Sequence, residues 1–128
     1  MNKNPELFSF SGIVQHHLGR GKTLGYPTAN IPVSDDAQEG IFIGTVLHDG
    51  TAFPALIFIG KPLTFGEHDK KAELFLLDFD EDIYGKELKI SVFKKIRDNE
   101  KFESQDALVA QMKEDERQAR EYFSTIKS

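Results

Sequence analysis

The chain has 128 residues, with 16 Lys and Arg against 21 Asp and Glu, a net charge of −5 and no cysteine. That length suits a single domain over residues 1–128, large enough to bury roughly two-thirds of its unfolded surface without a disulfide or structural metal. The missing thiols exclude cysteine-ligated zinc and thiol chemistry and fit a reducing compartment. No apolar run approaches the about 20 residues of a membrane-spanning helix, Met1 to Glu6 lacks a signal-peptide pattern, and the acidic balance argues against a nucleic-acid footprint. The expectation is a cytoplasmic monomer with no membrane and no nucleic-acid partner.

In chain order, Phe8 to Val14 alternates apolar and small polar residues, as a half-buried strand does. His16 to Gly25 is rich in glycine and basic groups, and Pro27 and Pro32 forbid helix in the stretch after it, so this whole region reads as a long structured loop. Ile41 to Leu47 and Thr51 to Ile59 flank His48-Asp49-Gly50, and Asp-Gly between two apolar runs is a strong hairpin signal. Pro54 lacks the N–H that a central ladder wants and is expected at an edge, a bulge or a strand start.

Ala72 to Asp78 reads as a strand buried on both sides, with Asp78 capping the turn that follows. Leu88 to Ile96 nearly alternates, placing Leu88, Ile90 and Val92 on one face. The period then changes. Ser104 can cap a helix in which Leu108, Met112, Ala119, Tyr122, Phe123 and Ile126 recur at three- and four-residue spacings, with Asp106 in its first turn and Glu116–Arg120 paired on the wet side. The fold class is mainly β: a six-stranded closed antiparallel Greek-key barrel over about 7–97, with its open end or flank covered by a C-terminal helix over about 104–126.

Gly19-Arg20-Gly21-Lys22-Thr23 resembles the end of a P-loop, but His16 stands where the first glycine belongs and Pro27 breaks the helix that must follow. The dinucleotide fingerprint fails as well, because Leu24 occupies its third glycine. What remains is a glycine-rich segment whose backbone N–H groups can turn toward an anion, assisted by Arg20 and Lys22, against the alternative of a surface loop with incidental charge. His16, His17, His48 and His68 have no metal-ligand spacing and read as surface histidines. Glu73 is the acidic residue inside an apolar run. It sits either at a strand end with its head in water or as a carboxylate aimed into a barrel mouth, where desolvation suits a general base.

Together these pieces resemble the riboflavin kinase (flavokinase) family, in particular the kinase domain of the bacterial bifunctional riboflavin kinase/FMN adenylyltransferases. The most specific stretch is Gly19 to Asn30, with its Pro27-Thr28-Ala29-Asn30 ending. Further matches are Ile59-Gly60, Thr64-Phe65, the run from Glu73 to Phe79, Ile83-Tyr84-Gly85, Ile96-Arg97 with Lys101-Phe102, and Asp115. The resemblance implies transfer of the γ-phosphoryl group of ATP to the 5′-hydroxyl of riboflavin, giving FMN and ADP. Glu73 would be the base, Thr28 and Asn30 would hold Mg2+ with the nucleotide phosphates, and Gly19, Arg20, Gly21, Lys22, Gly25 and Pro27 would belong to the phosphate-covering segment. Arg97 and Phe102 would lie on the flavin side.

Three positions depart from the family pattern: His17 replaces a usual glycine, Phe58 stands where asparagine is common, and Pro62 is shifted by one. The bacterial enzymes usually carry an N-terminal adenylyltransferase domain, for which 128 residues leave no space, so a stand-alone kinase or an excised domain is expected. The alternative is a catalytically weak or inactive flavin- or nucleotide-binding module. A barrel binding single-stranded nucleic acid would need a basic groove, which the charge disfavours.

Overall fold

The structure is a computed structural model that describes residues 6–15, 29–60, 70–79, 83–100 and 102–126. Six strands precede one helix: β1 (Phe8–Ile13), β2 (Ala29–Pro32), β3 (Gly40–His48), β4 (Thr51–Gly60), β5 (Lys71–Leu76), β6 (Glu87–Arg97) and α1 (Gln105–Ile126). Every neighbouring pair in the sheet order β1-β6-β3-β4-β5-β2 is antiparallel. The sheet curls into a nearly closed barrel whose seam, between β1 and β2, is bridged where Gln15 N–H donates to Asn30 C=O at 2.8 Å.

The elements follow from local chemistry. Asp49 and Gly50 both take positive φ, 50° and 78°, which matches the turn to the right-handed twist of the β3–β4 hairpin. Alternation along each strand sends Phe42, Ile57, Leu74 and Ile90 into the barrel core, where all four are fully buried. At Gly44 a Cβ would lie 2.2 Å from Ser91 C=O and 2.7 Å from Ile57. Glycine therefore permits the close β3–β6 approach at a register shift.

The stretch read as loop before Pro32 ends instead in a strand. Proline forbids helix but not an edge strand, and exposed Pro32 closes β2. Pro54 is not at a strand start but at the margin of the β4–β5 ladder, whose last rung is Ala55–Leu76. It lies within β4 opposite Thr45, and Leu77 N–H donates to its carbonyl at 2.8 Å, one position past the last β4–β5 rung. The missing donor thus falls where the ladder has ended.

His48 is buried, not a surface residue. It continues the inward alternation of Phe42 and Val46, and its ring meets Phe79 edge-on at 5.7 Å. Asp78 does more than end a turn: at φ 56° its carboxylate accepts from both terminal nitrogens of Arg120, at 3.0 and 3.1 Å, while Arg120 Nε also donates to Glu116 at 2.8 Å.

Helix α1 covers the flank of the barrel. Ala119 and Phe123 pack on Ile43, Leu56 and Leu77, which form a second apolar cluster on the outer face of the sheet. Its start is capped as expected, Ser104 Oγ accepting from Ala107 N–H at 3.1 Å. Replacing Ser104 by Ala should cost about 1 kcal/mol, read as a lower denaturation midpoint with unchanged slope. No described helix is long and apolar enough to cross a membrane.

Candidate active site

Antiparallel partners share one face of a sheet, so the register of the barrel assembles a row of side chains from residues distant in sequence. Gln15 opposes Asn30, Asn30 opposes Glu73, Glu73 opposes Phe58, Phe58 opposes Ile41, and Ile41 opposes Arg97. The row runs across the outer face, because the neighbours Ile31, Ala72 and Ile59 take the inner one.

Asn30 is 1% exposed, and its Nδ2 is the one buried side-chain nitrogen or oxygen lacking a hydrogen-bond partner among the described residues. A buried unsatisfied amide costs about 1–3 kcal/mol, so such a group invites a functional explanation. Across from it, Glu73 is half-buried in the middle of β5, whose burial alternates with Ala72, Leu74 and Leu76 inward. Neither placement expected for Glu73 holds: it is not at a strand end, and it faces the outer side of the sheet and not the barrel interior. The run looked buried on both sides because Phe75 on that outer face packs beneath α1. Phe58, the departure from the family pattern, lies directly opposite Glu73 and joins the same outer cluster.

At the far end of the row, Arg97 is tied to the helix. Its Nε and Nη2 donate to the two carboxylate oxygens of Asp115 at 2.9 and 2.7 Å, and Gln111 Nε2 donates to the same carboxylate at 3.0 Å. The guanidinium carbon stands 5.8 Å from the Phe102 ring centroid, while Nη1 reaches the Asp98 carbonyl at 3.3 Å and Glu100 at 3.7 Å. One arginine therefore binds the end of β6, the segment after it and α1, in the planar bidentate geometry that lysine cannot reproduce. The hydrogen bond from Lys95 holds the exposed Asp98 carboxyl below the usual carboxylate range.

Asp115 is fully buried. Residue chemistry alone passed over it, although its signal was present: it stands in the helix stripe of Met112 and Ala119 at three- and four-residue spacing, where an apolar residue belongs. Lys70 is the other buried charge among the described residues, and no feature of the sequence singled it out.

Gly19, Arg20, Gly21, Lys22, Gly25, Pro27 and Thr28 lie outside the described residues, as do His16, His17, His68 and Lys61 to Phe65. The chain nevertheless leaves the barrel at Gln15 and returns at Ala29, and Gln15 is bridged to Asn30. Gln15, the last described residue before that stretch, therefore lies beside Asn30, the residue of β2 that pairs with Glu73.

Residues 4–123 match the family model described as Flavokinase: Riboflavin kinase. The chain belongs to the riboflavin kinase family. Among curated relatives, it is 37% identical over 123 residues to the bifunctional riboflavin kinase/FMN adenylyltransferase of Escherichia coli (strain K12), covering 94% of this chain and 39% of that protein. A crystal structure of riboflavin kinase from Trypanosoma brucei superposes with a TM-score of 0.61 at 28% identity, covering 91% of this chain and 79% of the other. A crystal structure described as a macrolide-efflux protein from Streptococcus pneumoniae gives a TM-score of 0.77 at 36% identity over 88% of this chain and 38% of the other. The chain therefore spans about two-fifths of the length of the Escherichia coli relative.

Proposed function

We propose that this chain phosphorylates riboflavin, transferring the γ-phosphoryl group of ATP to the ribityl 5′-hydroxyl and releasing FMN and ADP. The observation that carries the proposal is the direct opposition of Asn30 and Glu73 on neighbouring strands in a member of the riboflavin kinase family. Phosphoryl transfer asks a protein chiefly to align two substrates and to offset developing charge. A carboxylate beside a buried amide meets both needs at one spot.

In this reading Glu73 accepts the proton of the 5′-hydroxyl and orients its oxygen toward the γ-phosphorus. Its half-buried place in a strand limits the rotamers open to it and keeps the carboxylate aimed. Asn30, with Thr28, is proposed to hold Mg2+, which when bound neutralises charge on the nucleotide phosphate oxygens. The donors fit that ion, since amide and hydroxyl oxygens are hard ligands of the kind it accepts and it retains water and phosphate in its remaining positions. Gly19, Arg20, Gly21, Lys22, Gly25 and Pro27 are proposed to cover the phosphates. Arg97, fixed by Asp115, is proposed to hold Phe102 and the segment before it on the flavin side, excluding water from the transfer. The same reading takes the chain as one domain acting as a cytoplasmic monomer, where ATP is supplied.

Purified protein incubated with riboflavin and Mg-ATP should form FMN in proportion to enzyme, measured after chromatographic separation. Flavin binding without FMN formation would overturn the proposal. Asn30→Ala should weaken Mg-ATP on the order of tenfold to a hundredfold while riboflavin binding changes little. Unchanged ATP titrations and rate at limiting Mg2+ would remove Asn30 from the metal site.

A further inference from the structure

Lys70 is 6% exposed, and an ammonium is expensive to bury unless its protons are taken up. Here they are. Lys70 Nζ donates to the carbonyls of Asp35 and Ala37, each at 2.7 Å, and lies 3.4 Å from the Glu39 carboxylate. Its main chain is engaged on the same side, its carbonyl accepting from Val33 N–H at 3.2 Å. Every one of these partners belongs to the connection from β2 to β3, whereas Lys70 itself immediately precedes β5.

We propose that Lys70 is a positioning residue for the phosphoryl-transfer site, locking β2 onto β5 in the register that sets Asn30 opposite Glu73. The inference rests on the function proposed above. Strand β2 needs such a lock. It has four residues, stands last in the sheet order, and on its other side is held, among the described residues, by one bridge to Gln15. A slip of one residue in a strand turns every side chain to the opposite face. It would carry Asn30 into the barrel core and leave Glu73 opposite a residue of the wrong kind. The rungs run Asn30–Glu73, Ile31–Ala72 and Pro32–Lys71, and the Val33–Lys70 hydrogen bond continues them. A slip would pull the Asp35 and Ala37 carbonyls off a buried cation. The lysine thus converts loss of register into loss of its own solvation, and it does so only three residues from Glu73 in sequence.

Lys70→Met keeps the length of the side chain and removes its three donors. We expect kcat for FMN formation to fall about tenfold or more, with riboflavin KM within about twofold, and Lys70→Arg to recover much of the loss. In a Glu73→Gln background Lys70→Met should cost less than about twofold further, because residues acting as a unit are not additive. A role in stability alone would instead lower the melting temperature and leave kcat of the folded protein unchanged, which would overturn the proposal. If Lys70→Met does not fold, Glu39→Gln loosens the same clamp. Amide exchange should then quicken at Asn30 to Val33 and not in β3 or β6, and unchanged exchange at Asn30 to Val33 would overturn the lock. Wild-type protein that forms no FMN would count against the proposed function, and the exchange measurement would still decide the lock.

Discussion

Glu73→Gln should lower turnover by about 10²–10⁴ while the protein folds normally and binds both substrates. Glutamine keeps the shape of the side chain and its hydrogen-bonding reach but cannot take the hydroxyl proton. Glu73 is half-buried on the outer face of β5, outside the barrel core, so the substitution leaves no cavity, and the stability change should stay within about 1 kcal/mol. Rate and stability therefore separate. Measuring kcat beside a denaturation curve gives both. Near-normal turnover in a folded variant would remove Glu73 from the mechanism.

The second large effect is expected at Asp115, where the damage should fall first on stability. Asp115→Ala removes a fully buried carboxylate that accepts from Arg97 Nε, Arg97 Nη2 and Gln111 Nε2. Deleting one partner of a buried ion pair strands the other, at a cost of about 3 kcal/mol, the low end of the usual range because the Arg97 side chain keeps some solvent. For a domain of this size that is a melting temperature lower by roughly 10 °C. Because Arg97 also meets Phe102 and the Asp98 carbonyl, the variant should show a riboflavin KM raised several-fold at temperatures where it remains folded. Asp115→Asn, which retains an acceptor, should lie between. A variant that melts with the wild type and binds riboflavin equally well would show that the clamp does not position the flavin-side segment.

Phe58 bears on the same chemistry from the opposite direction. It stands where the resemblance leads one to expect asparagine, and it faces Glu73 across the β4–β5 ladder while packing with the outer apolar cluster. The ring places apolar surface across the ladder from the Glu73 carboxylate. Phe58 thus bounds Glu73 on the β4 side, and Asn30 opposes it on the β2 side.

Much of this molecule was legible in its sequence wherever structure follows from neighbours in the chain. Asp49-Gly50 demanded its hairpin because only that turn chemistry suits both positive φ values. Ser104 marked the start of α1 because an unpaired helix N–H finds its nearest acceptor there. Strand alternation likewise named Leu88, Ile90 and Val92 as core. Where the reading failed, as at buried His48, half-buried Glu73 and the short strand β2, the deciding neighbour came from elsewhere in the chain: Phe79 for the histidine, Asn30 for the glutamate, β5 for the strand.

Tertiary structure alone decided which side chains meet. Composition and periodicity place Glu73 in a strand and Asn30 in a proline-bounded segment, but their opposition depends on sheet order and register, which no local pattern contains. The same holds for the two buried charges among the described residues. Lys70 looks like a solvated surface residue until the β2–β3 connection supplies its carbonyls, and the helix stripe that hints at a buried Asp115 does not say that β6 supplies its guanidinium. A charge is buried only where distant groups replace its water, and closure of the barrel beneath its helix brings those groups together.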